Sequence, residues 1–153
     1  MERAKVELRM VQRTASVVWE RDLLKGAGNV TTGSGAFRQF PVTWASRTED
    51  SGGKTSPEEL LAAAHASCYA MALSATLGRK GTPPERLEVT AVCSFEREGD
   101  GWKVTTSELS VRGKVLELDA TAFTELAKAA ERSCPISNAI RNNVEIKLTA
   151  SLA

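Results

Sequence analysis

The chain has 153 residues, 42% of them hydrophobic and 25% charged, with a formal net charge of +1. That length supports one domain with a real core, residues 1–153, and the near-neutral balance gives no reason to expect a nucleic acid or membrane-surface partner. The start, MERAKVELR, is charged and no apolar stretch follows it, so it does not read as a secretory signal. No run approaches eighteen apolar residues, so no membrane span is expected. The three cysteines fit neither a disulfide framework nor a CxxC motif. A cytoplasmic protein with individually placed thiols is therefore expected.

Met1 to Arg13 alternates loosely and reads as an N-terminal extension or an extra strand. Thr14 to Trp19 is β-branched and predicts a strand, and Glu20 to Gly28 a turn around Gly26 and Gly28. Val30 to Thr32 predicts a second strand, closed by Gly33-Ser34-Gly35. Phe40 to Ser46 alternates again, with Phe40, Val42 and Trp44 on one side, and predicts a third. Such a small antiparallel meander exposes much sheet and needs a partner surface. Arg47 to Thr55 is a polar loop, bent freely at Gly52-Gly53. Arg47, where the third strand ends, is well placed to aim its guanidinium inward.

The longest helix pattern follows, SPEELLAAAHASCYAMALSATLG, from Ser56 to Gly78. Ser56 fits the N-cap, Pro57 the first helical position and Glu59 the third. Gly78, Gly81 and Pro83-Pro84 end it. Most other residues in it are small, which suits the middle of a domain. Leu87 to Glu96 alternates with Leu87, Val89, Ala91, Cys93 and Phe95 on one side, so Cys93 reads as a buried, inert core thiol. Asp100-Gly101 predicts a hairpin turn. The return runs from Trp102 to Leu118 and is interrupted at Gly113. Asp119 then caps a helix whose apolar face is Phe123, Leu126, Ala127 and Ala130. Cys134-Pro135 breaks it, a short helical run spans Ile136 to Arg141, Asn142-Asn143 turns, and Val144, Ile146 and Leu148 form a last strand. The class is α+β, read as one sheet with helices on one side.

Two cysteines are associated with helices, Cys68 and Cys134. A thiolate on Cys68 needs a positive side chain, since it lies too far along its helix for the N-terminus to help. Arg47 leads the candidates, with Arg38 and Arg132 behind it. Glu58 opens the same helix, about 15 Å of rise before Cys68, and acts on it only through a bridging arginine, a helix break or a second subunit. His65 precedes Cys68 by one turn. It reads as a base for the thiol, a metal ligand or, preferably, a packed or hydrogen-bonded side chain. With two cysteines it falls short of a structural zinc set, and no metal is expected.

The segments VVWERDLLKGAGNVTTGSGAF, KTSPEELLAAAHASCYAMALSATLG and SCPISNAI resemble the osmotically inducible protein C family and its relatives, the organic hydroperoxide resistance proteins. The likeness runs from about Val17 to Leu148. It implies the OsmC/Ohr-like fold, with antiparallel sheets from two chains wrapped around central helices in an intertwined homodimer. It implies a cysteine-based peroxidase acting on organic hydroperoxides, and often on hydrogen peroxide, in oxidative or osmotic stress defence. Cys68 takes the place of the family's peroxidatic cysteine, Cys134 that of the resolving cysteine, Glu58 that of the glutamate that orders the arginine, and Arg47 that of the arginine. Arg21, near the alternative position used by the other branch, ranks below Arg47. The implied cycle forms a sulfenic acid on Cys68 and then a Cys68–Cys134 disulfide. An external dithiol, a small thiol or a lipoyl-bearing protein, reduces it, and no cofactor takes part. The break before Pro135 is expected to leave Cys134 mobile enough to reach Cys68. Phe37, Phe40, Leu61, Met71 and Ile136 are expected to suit an alkyl tail. The competing readings are a non-enzymatic small-molecule-binding protein and a general thiol-redox protein of the same fold.

Overall fold

The computed structural model describes residues 10–153. Of the expected extension, residues 1–9 lie outside that range, and residues 10–14 carry no regular structure. The described residues form two compact units, 10–56 and 57–153.

The first unit is the expected meander. Strands β1 (Ala15–Glu20), β2 (Ala27–Thr32) and β3 (Phe40–Val42) pair antiparallel in the order β1-β2-β3. Gly26 is required at the β1–β2 turn, because a Cβ there would stand 2.2 Å from the Asp22 carbonyl oxygen. The expected strand from Phe40 to Ser46 is corrected. It stops at Val42, and helix α1 (Trp44–Thr48) follows. The reason is a capping box that outweighs the alternating pattern. Thr43 Oγ1 accepts the Ser46 N–H at 3.0 Å, and Ser46 Oγ accepts the Thr43 N–H at 3.0 Å. Ser46 Oγ also donates to the Thr55 carbonyl at 3.0 Å, and the Thr55 N–H donates to the Pro41 carbonyl at 2.9 Å. The polar loop is thus fastened at its far end, with Gly52 and Gly53 at positive φ between.

The second unit is built on helix α2 (Pro57–Arg79), which starts at the expected proline. It runs through Gly78 and ends one residue later, at Arg79, in a Schellman motif. The Thr82 N–H donates to the Leu77 carbonyl, the Gly81 N–H to the Gly78 carbonyl, and Gly81 takes φ +79°. By length and composition alone α2 is long and apolar enough to cross a membrane. Here its Tyr69, Leu73 and Leu77 are the centre of a buried core, with Leu109 and Val111 from the sheet and Phe123, Ala127 and Ala130 from the next helix.

Strands β4 (Arg86–Glu98) and β5 (Gly101–Lys114) form a long hairpin. Its two-residue turn is Gly99-Asp100, one position earlier than expected, because Gly99 supplies the positive φ. β5 is continuous, and Gly113 does not interrupt it. The glycine is there for close approach, since a Cβ would lie 2.6 Å from the Phe123 ring. Helix α3 (Ala120–Ser133) is capped by Asp119, whose Oδ1 accepts the Ala122 N–H at 2.8 Å. Helix α4 (Pro135–Ile140) and strand β6 (Glu145–Leu152) complete the unit.

β6 pairs parallel with β5, so the second sheet, ordered β4-β5-β6, is mixed. A parallel neighbour needs a crossover, and α3 with α4 supplies it. This corrects two expectations, one sheet and antiparallel pairing throughout. Each unit holds its own three-stranded sheet, and the second is mixed.

Candidate active site with two neighbouring thiols

Cys68 sits in the middle of α2, half-buried, at the edge of the core cluster. Cys134 lies at the joint of α3 and α4 and is fully buried. It is both the C-cap of α3 and the N-cap of α4, with φ −67° and ψ 118°. Pro135 explains the joint, since the residue before proline is pushed out of the helical region. α2 packs against both α3 and α4, and this contact brings the two thiols together. They are hydrogen-bonded neighbours and both are free.

The first turn of α4 serves both sulfurs. The Ile136 backbone N–H donates to Cys68 Sγ, and the Ser137 N–H donates to Cys134 Sγ at 3.5 Å. Burial pushes the Cys68 thiol up from its ordinary value, the Ile136 N–H pulls it down, and the Cys134 neighbour pushes it up again. The group that would hold Cys68 as a thiolate at neutral pH must therefore outweigh the cost of burial.

The joint expected to leave Cys134 mobile carries a set of hydrogen bonds. Arg141 Nη2 meets Glu131 Oε1 at 2.6 Å and donates to the Glu131 carbonyl at 3.2 Å. Arg141 Nε donates to Asn138 Oδ1 at 3.1 Å, and Asn138 Nδ2 donates to the Arg132 carbonyl at 3.1 Å. The short helix after the proline returns polar groups to the end of α3. Cys134 needs no large shift to meet Cys68.

Glu58 lies in the first turn of α2 and is buried, at 7% exposed. Arg47 belongs to the first unit. It sits in the last turn of α1 rather than at a strand end, with its guanidinium carbon 5.9 Å from the Trp44 ring centroid. Arg21 stands at φ +72° in the β1–β2 turn and lines a cavity of about 260 Å³ with Val18, Glu20, Lys25, Ala27 and Asn29. Arg38 folds back beside Gly35. Of the five apolar residues expected at an alkyl pocket, Phe37 and Phe40 form a ring pair at 5.0 Å in the first unit. Leu61, Met71 and Ile136 lie in the second, where Ile136 packs on the core and Met71 is 69% exposed.

Cys93 points toward the core face as expected. It is only half-buried, and its thiol donates to Ser107 Oγ at 3.6 Å. His65 is fully buried, with Nδ1 2.7 Å from Ser107 Oγ and Nε2 2.7 Å from Ser137 Oγ. Both ring nitrogens are taken by hydroxyls, so His65 is neither a base on Cys68 nor a metal ligand here. Among the described residues no cluster of metal-ligating side chains is found. The sequence carried a signal for this arrangement. Ser107 alternates with Leu109, Val111 and Gly113 on the core face of β5, and a polar residue at such a position needs a polar partner.

Comparison with known families covers two of the three segments, those from Lys54 to Gly78 and from Ser133 to Ile140. The family described as OsmC-like protein matches residues 49–149. The chain is 34% identical over 136 residues to peroxiredoxin OsmC of Escherichia coli, covering 89% of this chain and 94% of that protein. The crystal structure of the organic hydroperoxide resistance protein OhrB of Bacillus subtilis superposes with a TM-score of 0.71 at 28% identity, covering 90% of this chain and 97% of that one. An organic hydroperoxide resistance protein OsmC from Legionella pneumophila gives 0.70 at 25% identity, covering 93% and 99%. With its fold and these relatives in agreement, the chain belongs to the OsmC-like family, the redox proteins related to organic hydroperoxide resistance proteins.

Proposed function

We propose that the protein is a thiol-dependent peroxidase that reduces organic hydroperoxides to alcohols through Cys68 and Cys134. The observation that carries this reading is the meeting of two free thiols, one half-buried and one fully buried, at the contact of α2 with α4. The Cys68 sulfur attacks the terminal peroxide oxygen, the O–O bond breaks, and the alkoxide leaves as an alcohol after taking a proton. The sulfenic acid condenses with the Cys134 thiol, releasing water and forming the disulfide. An external dithiol then reduces that disulfide by exchange.

Because burial raises the Cys68 pKa, the cycle needs a cation at the sulfur. Arg47 is assigned that role, and buried Glu58 the role of orienting it. Arg47→Ala should raise the Cys68 pKa further and slow oxidation at neutral pH. Thiol alkylation followed against pH checks this, and an unchanged profile would move the role to Arg21 or Arg38.

The two units are taken to work as one domain within a homodimer. The support is apolar surface left uncovered on both, Val18 and Trp19 on β1 and Met71 and Val92 in the second unit. Stopped-flow consumption of cumene hydroperoxide by wild type, Cys68→Ser and Cys134→Ser, with a small dithiol as reductant, tests the function. Wild type should turn over and Cys68→Ser should not. Equal turnover by both would reject the assignment.

A further inference from the structure

The proposed cycle leaves the buried imidazole of His65 unused. His65 lies on α2, three residues before Cys68, and joins Ser107 of β5 to Ser137 of α4 at 2.7 Å on each side. A neutral imidazole has one donor and one acceptor nitrogen, so one serine hydroxyl donates to the ring and the other accepts from it. Burial keeps the ring neutral, with the Glu131 carboxylate opposing that effect and the Arg141 guanidinium adding to it. The Cys93 thiol extends the same chain through Ser107. Side-chain hydrogen bonds thus run from β4 through β5 and α2 to α4.

The end point matters because α4 carries the backbone donors to both sulfurs, Ile136 N–H to Cys68 and Ser137 N–H to Cys134. α4 has six residues, too few to hold its place by helix formation alone. Arg141 and Glu131 tie its far end to α3, which leads into Cys134. His65 and Ser137 tie it to α2, which carries Cys68.

We propose that His65 is a positioning residue that sets the distance between the two thiols by clamping Ser137, so that a sulfenic acid on Cys68 is captured by Cys134 before a second peroxide reaches it. The capture step joins Cys68–SOH and Cys134–SH, forming the S–S bond and releasing water. The competing step transfers a second peroxide oxygen to the same sulfur, giving sulfinic acid and one more alcohol. The ratio of these two products reads the clamp, whatever the rate of the first oxidation. The sulfenic step rests on the peroxidase reading, whereas the proximity of the thiols does not.

The test uses the full chain as wild type, Ser137→Ala, His65→Gln and His65→Ala. In the first arm, reduced protein is equilibrated with oxidised and reduced dithiothreitol, and the Cys68–Cys134 disulfide is quantified by peptide mass spectrometry. That equilibrium gives the effective concentration of one thiol at the other without any peroxide. Ser137→Ala should lower it about tenfold, the effect of losing one buried hydrogen-bond partner. His65→Gln, whose amide can still bond a hydroxyl, should stay closer to wild type than His65→Ala. In the second arm, cumene hydroperoxide is added in slight excess, and the sulfinic fraction on Cys68 should rise in the same order. Should His65→Ala fail to fold, Ser137→Ala carries the test by itself. An unchanged disulfide equilibrium in folded Ser137→Ala would overturn the proposal. If wild type ignores peroxide, the peroxidase reading falls while the dithiothreitol arm still judges the clamp.

Discussion

The two units of this chain solve burial differently. Residues 57–153 close a core of their own, in which Tyr69, Leu73, Leu77, Phe123, Ala127 and Ala130 are fully buried. Of the described hydrophobic residues in the first unit, only Val30 is buried, and every residue of β1 is exposed. The contrast follows from helix content. α2 and α3 cover one face of the second sheet, whereas α1 has five residues and offers the first sheet little cover. The second unit therefore has the close packing that holds sulfurs in register. The first has a surface that calls for a partner.

The largest test of that contrast is in the second unit. Gly113→Ala places a methyl 2.6 Å from the Phe123 ring, and the fully buried ring has nowhere to go. Overpacking of this kind should cost about 1–3 kcal/mol, read from urea unfolding. Gly113→Ala with Phe123→Leu should recover part of it, so the two changes should not add. Additive effects would mean that the contact does not limit packing there.

His65 gives the next effect, and its sign follows from burial. Its folded pKa lies below the ordinary 6.5, since burial, its largest influence, disfavours the imidazolium. The stability this contributes is fully present above pH 6.5 and is lost as the pH falls through the folded value, because the unfolded imidazole binds a proton that the buried one refuses. The slope is at most about 1.4 kcal/mol per pH unit. Unfolding measured between pH 7 and 5 should therefore show a steeper fall in wild type than in His65→Gln. The difference isolates His65, since both proteins carry every other titratable group. Equal slopes would contradict the neutral, buried assignment.

The smallest effect on folding is expected in the first unit. Val18, 66% exposed on β1, tolerates aspartate within about 0.5 kcal/mol. If the uncovered face of β1 meets a second copy, Val18→Asp should still shift sedimentation from dimer toward monomer. A dimer unaffected by that charge would place the interface elsewhere.

Much of this was legible in residues. Pro57 marked the start of α2 and Asp119 the cap of α3, because each acts through its own neighbours. SCPIS showed where a helix must break, since a proline constrains the residue before it. The α1 helix was obscured because Phe40, Val42 and Trp44 alternate like a strand, while the decisive Thr43–Ser46 capping box is short. The parallel direction of β6 was not legible at all, because alternation encodes a face and carries no direction. The clamp at His65 was hidden for another reason. Its partners are remote in sequence, and only the misfit of Ser107 among core positions hinted that a polar contact was needed. The site shows the same limit. The motifs singled out Cys68 and Cys134, which the structure makes neighbours, but not the hydrogen bonds that tie α4 back to α3.

The central claim is that Cys68 takes the first peroxide oxygen and Cys134 resolves it. Mass spectrometry of Cys134→Ser and Cys68→Ser after one equivalent of cumene hydroperoxide tests that order directly. The account predicts that Cys134→Ser takes up one oxygen on Cys68 and stalls as sulfenic acid or its further oxidation products, while Cys68→Ser scarcely reacts. Rapid, stoichiometric oxidation of Cys134 in Cys68→Ser would contradict it.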